Sequence, residues 1–163
     1  VFMISALFAA ALPGLDWQPT DVEPANFASI RAWAKHSGKG VRAPILLDAT
    51  FPGWAARLGH WDAMLLVNLL HLIPLAAAKT LLAEVAMSLA PEGVFCLYGP
   101  FLRDGQATSP GDAAFDASLR GQDPTIGYKD LAWVLDLLAG HGLAARVVEM
   151  PANNLMLIAR RPA

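Results

Sequence analysis

Three short apolar runs narrow the folds open to this chain. "APILLDAT" (43–50), "WDAMLLVN" (61–68) and "VFCLYGPF" (94–101) are compact, nearly unbroken, and end in or near an acid, an amide or a glycine. Runs of that length read as strands buried on both faces, the pattern of a parallel sheet covered by helices. Helical stripes alternate with them. Phe27, Ile30, Trp33 and Ala34 recur at helical spacing behind Pro24, and Gly38 to Gly40 supply a stop. Leu75, Ala78, Leu82, Val85 and Leu89 form a second stripe that opens at Pro74 and is closed by "APEG". Leu131, Val134, Leu135 and Leu138 form a third within Tyr128–His141, ended by Gly142.

The remaining segments fit the same alternation. Residues 4–12 have the small, apolar composition of a packed helix before Pro13-Gly14, and "LDWQPTD" reads as a short strand ending at Asp21. Residues 51–61 hold Pro52, Gly53 and Gly59 and are too broken for a long helix. Residues 102–126 are polar and rich in Gly, Pro and Asp, with a short helix expected around "DAAFDASL" in what reads as a mobile cover. "LAARVVEM" and "NNLMLIARR" are strands joined by "PAN", a link so short that they must run antiparallel. The expectation is one α/β domain over 1–163: a helix, three unequal βα repeats and a closing hairpin.

Composition removes several classes of function. With 55% hydrophobic and 16% charged residues in 163, the chain can build a substantial single core. A net charge of −2 offers no broad basic surface, so nucleic acid is not an expected partner. Cys96 is the only cysteine, which excludes an internal disulfide and a cysteine-rich metal site, and no metal is expected. A cytoplasmic setting follows. Asn68, His71 and Pro74 interrupt the most apolar region well short of the ~20 residues that span a bilayer. The opening "VFMISALFAAALPG" is apolar like a signal peptide but has no basic flank, and the expectation is a chain that starts inside a longer gene product.

In an open parallel sheet, ligands bind beyond the carboxyl ends of the strands, and here those ends carry Asp21, Asp48, Asn68 and Tyr98-Gly99. An acid in the position of Asp21 accepts hydrogen bonds from ribose hydroxyls; Asp48 accepts from an adenine amino group while the Ala49 amide donates to the ring. The competing role for either acid is a turn or a helix N-cap. Asn68 and His71 stand in the apolar run "NLLHLIPL", where an unpartnered polar group costs about 1–3 kcal/mol, so each needs a partner or an opening to a cleft. An imidazole titrates near neutrality, which suits His71 to proton transfer from a substrate; the alternative is a hydrogen bond to a backbone carbonyl. Tyr98 is a candidate pocket wall, with packing as its competing role; Arg103 and Arg120 are candidates for an anionic substrate, with solvated surface arginines as the competing reading, and His36, His60 and His141 read as solvated. Asn153 and Asn154 read as turn residues tolerant of left-handed backbone.

The pattern formed by "FAAALPGLDWQPTD", "NLLHLIP", "LAPEGVFCLYGPF", "AFDASLR" and "VVEMPANNL" resembles the methyltransferase-like protein 26 family, and the resemblance covers essentially the whole chain. It implies a Rossmann-like class I methyltransferase fold with S-adenosylmethionine as cofactor, Asp21 as the ribose acid, Asp48 on the adenine side, and Asn68 with His71 lining the site. Family members begin with a strand and an "SGTG"-like loop that cradles the methionine end of the cofactor, and "VFMIS" has no such glycines. A tryptophan the family often shows after its proline is Leu75 here.

Three functions follow as expectations. The first is an S-adenosylmethionine-dependent methyltransferase with a small-molecule acceptor, active in the intact parent protein. The second is a noncatalytic scaffold without the cofactor loop, and the third a dinucleotide-dependent oxidoreductase, since an acid after the second strand serves NAD equally well. Without the first strand, neighbouring strands expose unpaired backbone groups, and residues 1–163 alone are expected to bind cofactor weakly or not at all.

Overall fold

The computed structural model describes residues 4–12, 14–37 and 40–161, the side chains of 4–6 and 37 apart. The chain divides into two compact units, Val1–Ala49 and Thr50–Ala163. Among the described residues, no helix is long and apolar enough to cross a membrane.

The first unit is built on α1 (Ile4–Ala11), β1 (Thr20–Asp21), a 3-10 turn (Pro24–Asn26), α2 (Phe27–Ser37) and β2 (Ile45–Leu46). β1 and β2 pair in parallel, Thr20 opposite Ile45 and Asp21 opposite Leu46, so both chains leave the ladder at the same edge. The ladder is short, and single bonds lengthen it: Trp17 N–H donates to Gly40 O at 2.7 Å and Leu47 N–H to Asp21 O at 3.0 Å. Gly40 has φ +90°, and a Cβ there would stand 2.8 Å from Leu15 O, so the close approach requires glycine. Pro24 opens the 3-10 turn as the sequence suggests, with the Glu23 carboxylate accepting from Ala25 N–H. Of the expected stops, Pro13, Gly38 and Lys39 lie outside the described residues.

The second unit carries the main sheet. Its elements are α3 (Trp54–Leu58), β3 (Trp61–Val67), a 3-10 turn (Leu70–Leu72), α4 (Leu75–Ser88), β4 (Leu89–Gly99), β5 (Phe101–Leu102), α5 (Pro110–Gln122), β6 (Lys129–Asp130), α6 (Leu131–Gly140), β7 (Ala144–Glu149) and β8 (Leu155–Arg160). The sheet order is β3-β4-β8-β7, parallel between β3 and β4 and antiparallel in the other two pairs, while β5 and β6 form a separate parallel ladder. The closing antiparallel hairpin is thus formed. Phe95 and Leu97 of β4, Leu155, Leu157 and Ala159 of β8, Leu81, Leu82 and Val85 of α4, and Val134 and Leu138 of α6 are nearly or fully buried and make the core. Each fully buried side chain of that size contributes about 1.5–3 kcal/mol. Buried Glu84 caps the short α3: its two carboxylate oxygens accept from Gly53 N–H at 2.8 Å and Ala55 N–H at 2.7 Å.

Three expectations shift. α4 ends at Ser88 and "APEG" does not close it from outside, because Leu89 already pairs with Trp61 and the register then slips so that Ala63 meets Val94. Residues 90–93 are an outward bulge in the ladder, turning at Glu92 with φ 63°. α6 starts at Leu131, not Tyr128, because Lys129 and Asp130 first pair with Phe101 and Leu102, and the Asp130 side chain then accepts from Ala132 N–H as N-cap. The polar stretch 102–126 holds a 13-residue helix, α5, capped by Ser109 with Pro110 in its first turn.

Candidate functional site

In the first unit, Asp21 ends β1 half-buried, and its Oδ1 accepts from Glu23 N–H at 2.8 Å and from Asn26 Nδ2 at 3.1 Å. One carboxylate oxygen therefore does turn work. The other, Oδ2, accepts no hydrogen bond among the described residues, so it keeps the capacity expected of a ribose acceptor. Asp48 and Ala49 follow β2 with one residue between, half-buried, at the same carboxyl edge as Asp21. The open Oδ2 of Asp21 fits the chemistry of a hydroxyl donor such as a ribose.

In the second unit, Asn68 leaves β3 in a left-handed conformation, φ 53°, which asparagine tolerates better than most residues. Its N–H donates to Tyr98 O at 2.9 Å, tying the carboxyl ends of β3 and β4 together, and its side chain is exposed. Tyr98 is half-buried one residue before Gly99 ends β4. Arg103, proposed above for an anionic substrate, spends its Nη2 on Glu149 at 3.0 Å, while its Nε is buried without a partner.

His71 is the most altered of the expected residues. It lies in the 3-10 turn after β3, only 6% exposed, where the sequence suggested a polar group opening to ligand or solvent. Its ring stands edge-on to two others, 5.9 Å from Phe115 and 5.9 Å from Tyr128, which are themselves 6.1 Å apart. Among the described residues no hydrogen bond reaches the imidazole; only its backbone is engaged, His71 O accepting from Gly127 N–H at 2.9 Å. Burial, and then the charge of Lys129, hold the imidazole below its ordinary pKa, so it is neutral near pH 7.

Around these rings lies a group that sequence reasoning missed. Lys129 is 5% exposed, its ammonium donating to Ile73 O at 2.7 Å and to Gly127 O at 2.8 Å. Burial and the nearby Arg120 lower it to about 8, against the opposing pull of Asp116. The Tyr128 hydroxyl is pushed up to about 12 by burial and by Asp112, and donates to Asp112 Oδ1 at 3.3 Å. Asp112 also accepts from Ser109 Oγ at 2.6 Å, Thr108 Oγ1 at 3.0 Å and Asn153 Nδ2 at 2.9 Å, bonds that hold its carboxyl below the usual range. Asp116 Oδ1 accepts from Tyr128 N–H at 2.6 Å and its Oδ2 from Arg120 Nε at 2.8 Å.

Two earlier assignments change accordingly. Asn153 is not only a turn residue, since it fastens the β7–β8 hairpin to α5, and Arg120 is not simply solvated, since it pairs with Asp116 and donates to Tyr128 O. The spacing Asp112, Asp116, Arg120 places all three on one helix face, and it was the available signal in "GDAAFDASLR". Nothing in "GYKDL" marks Lys129 as buried. Gly127 is required here: φ is +124°, and a Cβ would stand 2.7 Å from Asp116 Oδ1. No group of three or more His, Cys, Asp or Glu among the described residues could hold a metal ion.

Parallel strands, acids at their carboxyl edge and a reversed terminal hairpin define an α/β fold of the class I methyltransferase type, and solved structures agree. An O-methyltransferase family protein from Burkholderia thailandensis superposes with TM-score 0.83 at 18% identity, over 97% of this chain and 47% of that one. Mitomycin 7-O-methyltransferase MmcR matches with TM-score 0.79 at 16% identity, over 96% of this chain and 45% of its own. PigF, in a structure with SAH, matches with TM-score 0.74 at 16% identity, over 94% and 51%. The chain spans about half the length of these structures. Its family is "Protein of unknown function (DUF938)", whose model matches residues 4–161, and the chain belongs to it.

Proposed function

We propose that the full-length protein is a cytoplasmic S-adenosylmethionine-dependent methyltransferase acting on a hydroxyl-bearing small molecule, and that its kinship extends to methyltransferase-like protein 26. One observation carries the reading: a buried imidazole set between two aromatic rings in the turn directly after a strand of a methyltransferase-type fold. When bound, S-adenosylmethionine supplies a methyl group to the acceptor oxygen, and the electrons of the broken C–S bond stay on sulfur.

The chain's own residues have two tasks. In the first unit Asp21 would accept from the ribose hydroxyls and Asp48 and Ala49 would address the adenine; in the second, Asn68 presents an exposed side chain at the end of β3. His71 takes the proton that the acceptor hydroxyl gives up as its oxygen bonds to carbon. A base that starts uncharged is required for that step, and the buried surroundings of His71 keep it so. Phe115, 47% exposed beside His71, gives an apolar wall suited to an aromatic or otherwise apolar acceptor. Arg103 and Tyr98 are the further pocket candidates.

The test is S-adenosylhomocysteine formation by the full-length protein on a panel of phenols and other hydroxylated small molecules. Turnover with at least one acceptor, lost in His71→Ala, supports the assignment. Absence of both cofactor binding and turnover on any acceptor favours the scaffold, and reduction of NAD with an alcohol panel favours the oxidoreductase.

A further inference from the structure

We propose that Lys129 is the positioning residue of the His71 site: its buried ammonium fastens the turn that carries His71 to the segment that carries Tyr128. The stitch is continuous. His71 O accepts from Gly127 N–H at 2.9 Å, Gly127 O accepts from Lys129 Nζ at 2.8 Å, and the same Nζ donates to Ile73 O at 2.7 Å, two residues beyond His71. A 3-10 turn of three residues has little rigidity of its own. Here its exit carbonyl and that of His71 are both held from the 127–129 segment, which is itself seated by Asp116 accepting from Tyr128 N–H. The Tyr128 ring in turn stands against the imidazole.

A buried ammonium bonded to two neutral carbonyls is costly, because no carboxylate among the described residues pairs with it directly. The charges near it oppose one another: Arg120 disfavours the ammonium more than Asp116 favours it, and Asp112 is engaged through the Tyr128 hydroxyl, Ser109, Thr108 and Asn153. On His71, by contrast, the Lys129 charge acts in the same direction as burial and second to it. The lysine therefore does two things for one imidazole: it sets where the ring stands and adds to what keeps the ring unprotonated. Its use in methyl transfer rests on the reading of His71 as the base, whereas the fastening and the charge effect can be measured with no substrate at all.

The experiment follows the His71 ring resonances by NMR against pH in the full-length protein, in wild type, Lys129→Met and Lys129→Arg. In Lys129→Met the His71 midpoint should rise toward the ordinary value of about 6.5. In Lys129→Arg, which keeps the charge, it should stay low. If Lys129→Met does not fold, wild type alone still decides: the His71 resonances should show a second, smaller inflection as Lys129 loses its proton at about 8. Where methyl transfer is measurable, the acid limb of the rate profile should move up in pH with Lys129→Met, and kcat should fall more than KM rises. A His71 midpoint unchanged in a folded Lys129→Met, or a wild-type His71 signal blind to the lysine's titration, overturns the proposal. Coupling present in a protein that never binds S-adenosylmethionine would refute the methyltransferase assignment and leave this inference standing.

Discussion

The two units handle polar groups in opposite ways. In Val1–Ala49 the acids stand at the rim of a two-residue ladder, and the ion pair of Asp16 with Arg42 at 2.5 Å has both side chains more than half exposed. In Thr50–Ala163 the polar groups that matter are buried: Glu84 on two amide N–H groups, Lys129 on two carbonyls, His71 among rings. Exposed charges are screened and worth little to stability, whereas buried ones have few partners and lose much when a partner goes. The difference teaches that the first unit leaves polar side chains at its surface, while the second spends buried ones on fastening its own backbone, at α3 through Glu84 and at the 3-10 turn through Lys129.

That contrast predicts a graded series of effects. The largest is on rate: His71→Ala should lower methyl-transfer turnover by about 10²–10⁴-fold, the range for loss of a general base, with cofactor affinity unchanged. A smaller loss would place the proton elsewhere. Next is Glu84→Ala, which strands the Gly53 and Ala55 N–H groups and should cost about 2–4 kcal/mol in denaturant unfolding. Asp16→Ala, its counterpart in the first unit, should cost under about 0.5 kcal/mol. Equal costs would erase the distinction.

The pH dependence of stability comes next. The Lys129 ammonium titrates at about 8 in the folded chain and at its ordinary value of 10.5 when unfolded, so between those values the unfolded chain holds more protons. Unfolding free energy should therefore rise with pH across that window by about 3 kcal/mol relative to Lys129→Met, and the difference should be flat below pH 8. A wild-type curve parallel to that of Lys129→Met would show the amine to be solvated. The smallest effect is Asn153→Ala, which removes one bond to Asp112 and should lower stability by about 1 kcal/mol without altering the His71 titration.

What was legible in the sequence follows the same division. Asp48 and Asn68 could be placed because each ends an apolar run, and Asp21 because it ends the short segment "LDWQPTD"; position at a strand end needs only local pattern. The hairpin was legible because "PAN" is too short for any other connection. The bulge at 90–93 was not, since "APEG" carries the same residues as a helix stop and only the pairing of Leu89 with Trp61 distinguishes them. Lys129 was hidden for a related reason. Its burial depends on a carbonyl at Ile73, 56 residues away, and on a two-residue strand that resembles the start of a helix. Asn153 has the left-handed φ of 59° that turn chemistry anticipates, but its bond to Asp112 reaches across 41 residues. Local grammar reported the strand ends and passed over the long-range bonds around His71.

The most direct measurement is calorimetric titration of the full-length protein with S-adenosylmethionine, in wild type and in Asp21→Asn. The substitution keeps an oxygen for Glu23 N–H and Asn26 Nδ2 while removing the charge that Oδ2 would bring to ribose. The account predicts saturable binding by wild type and a Kd raised about 10–100-fold in the variant, the value of a hydrogen bond to a charged group. Absence of binding by wild type at millimolar cofactor, or an affinity indifferent to Asp21→Asn, would contradict it.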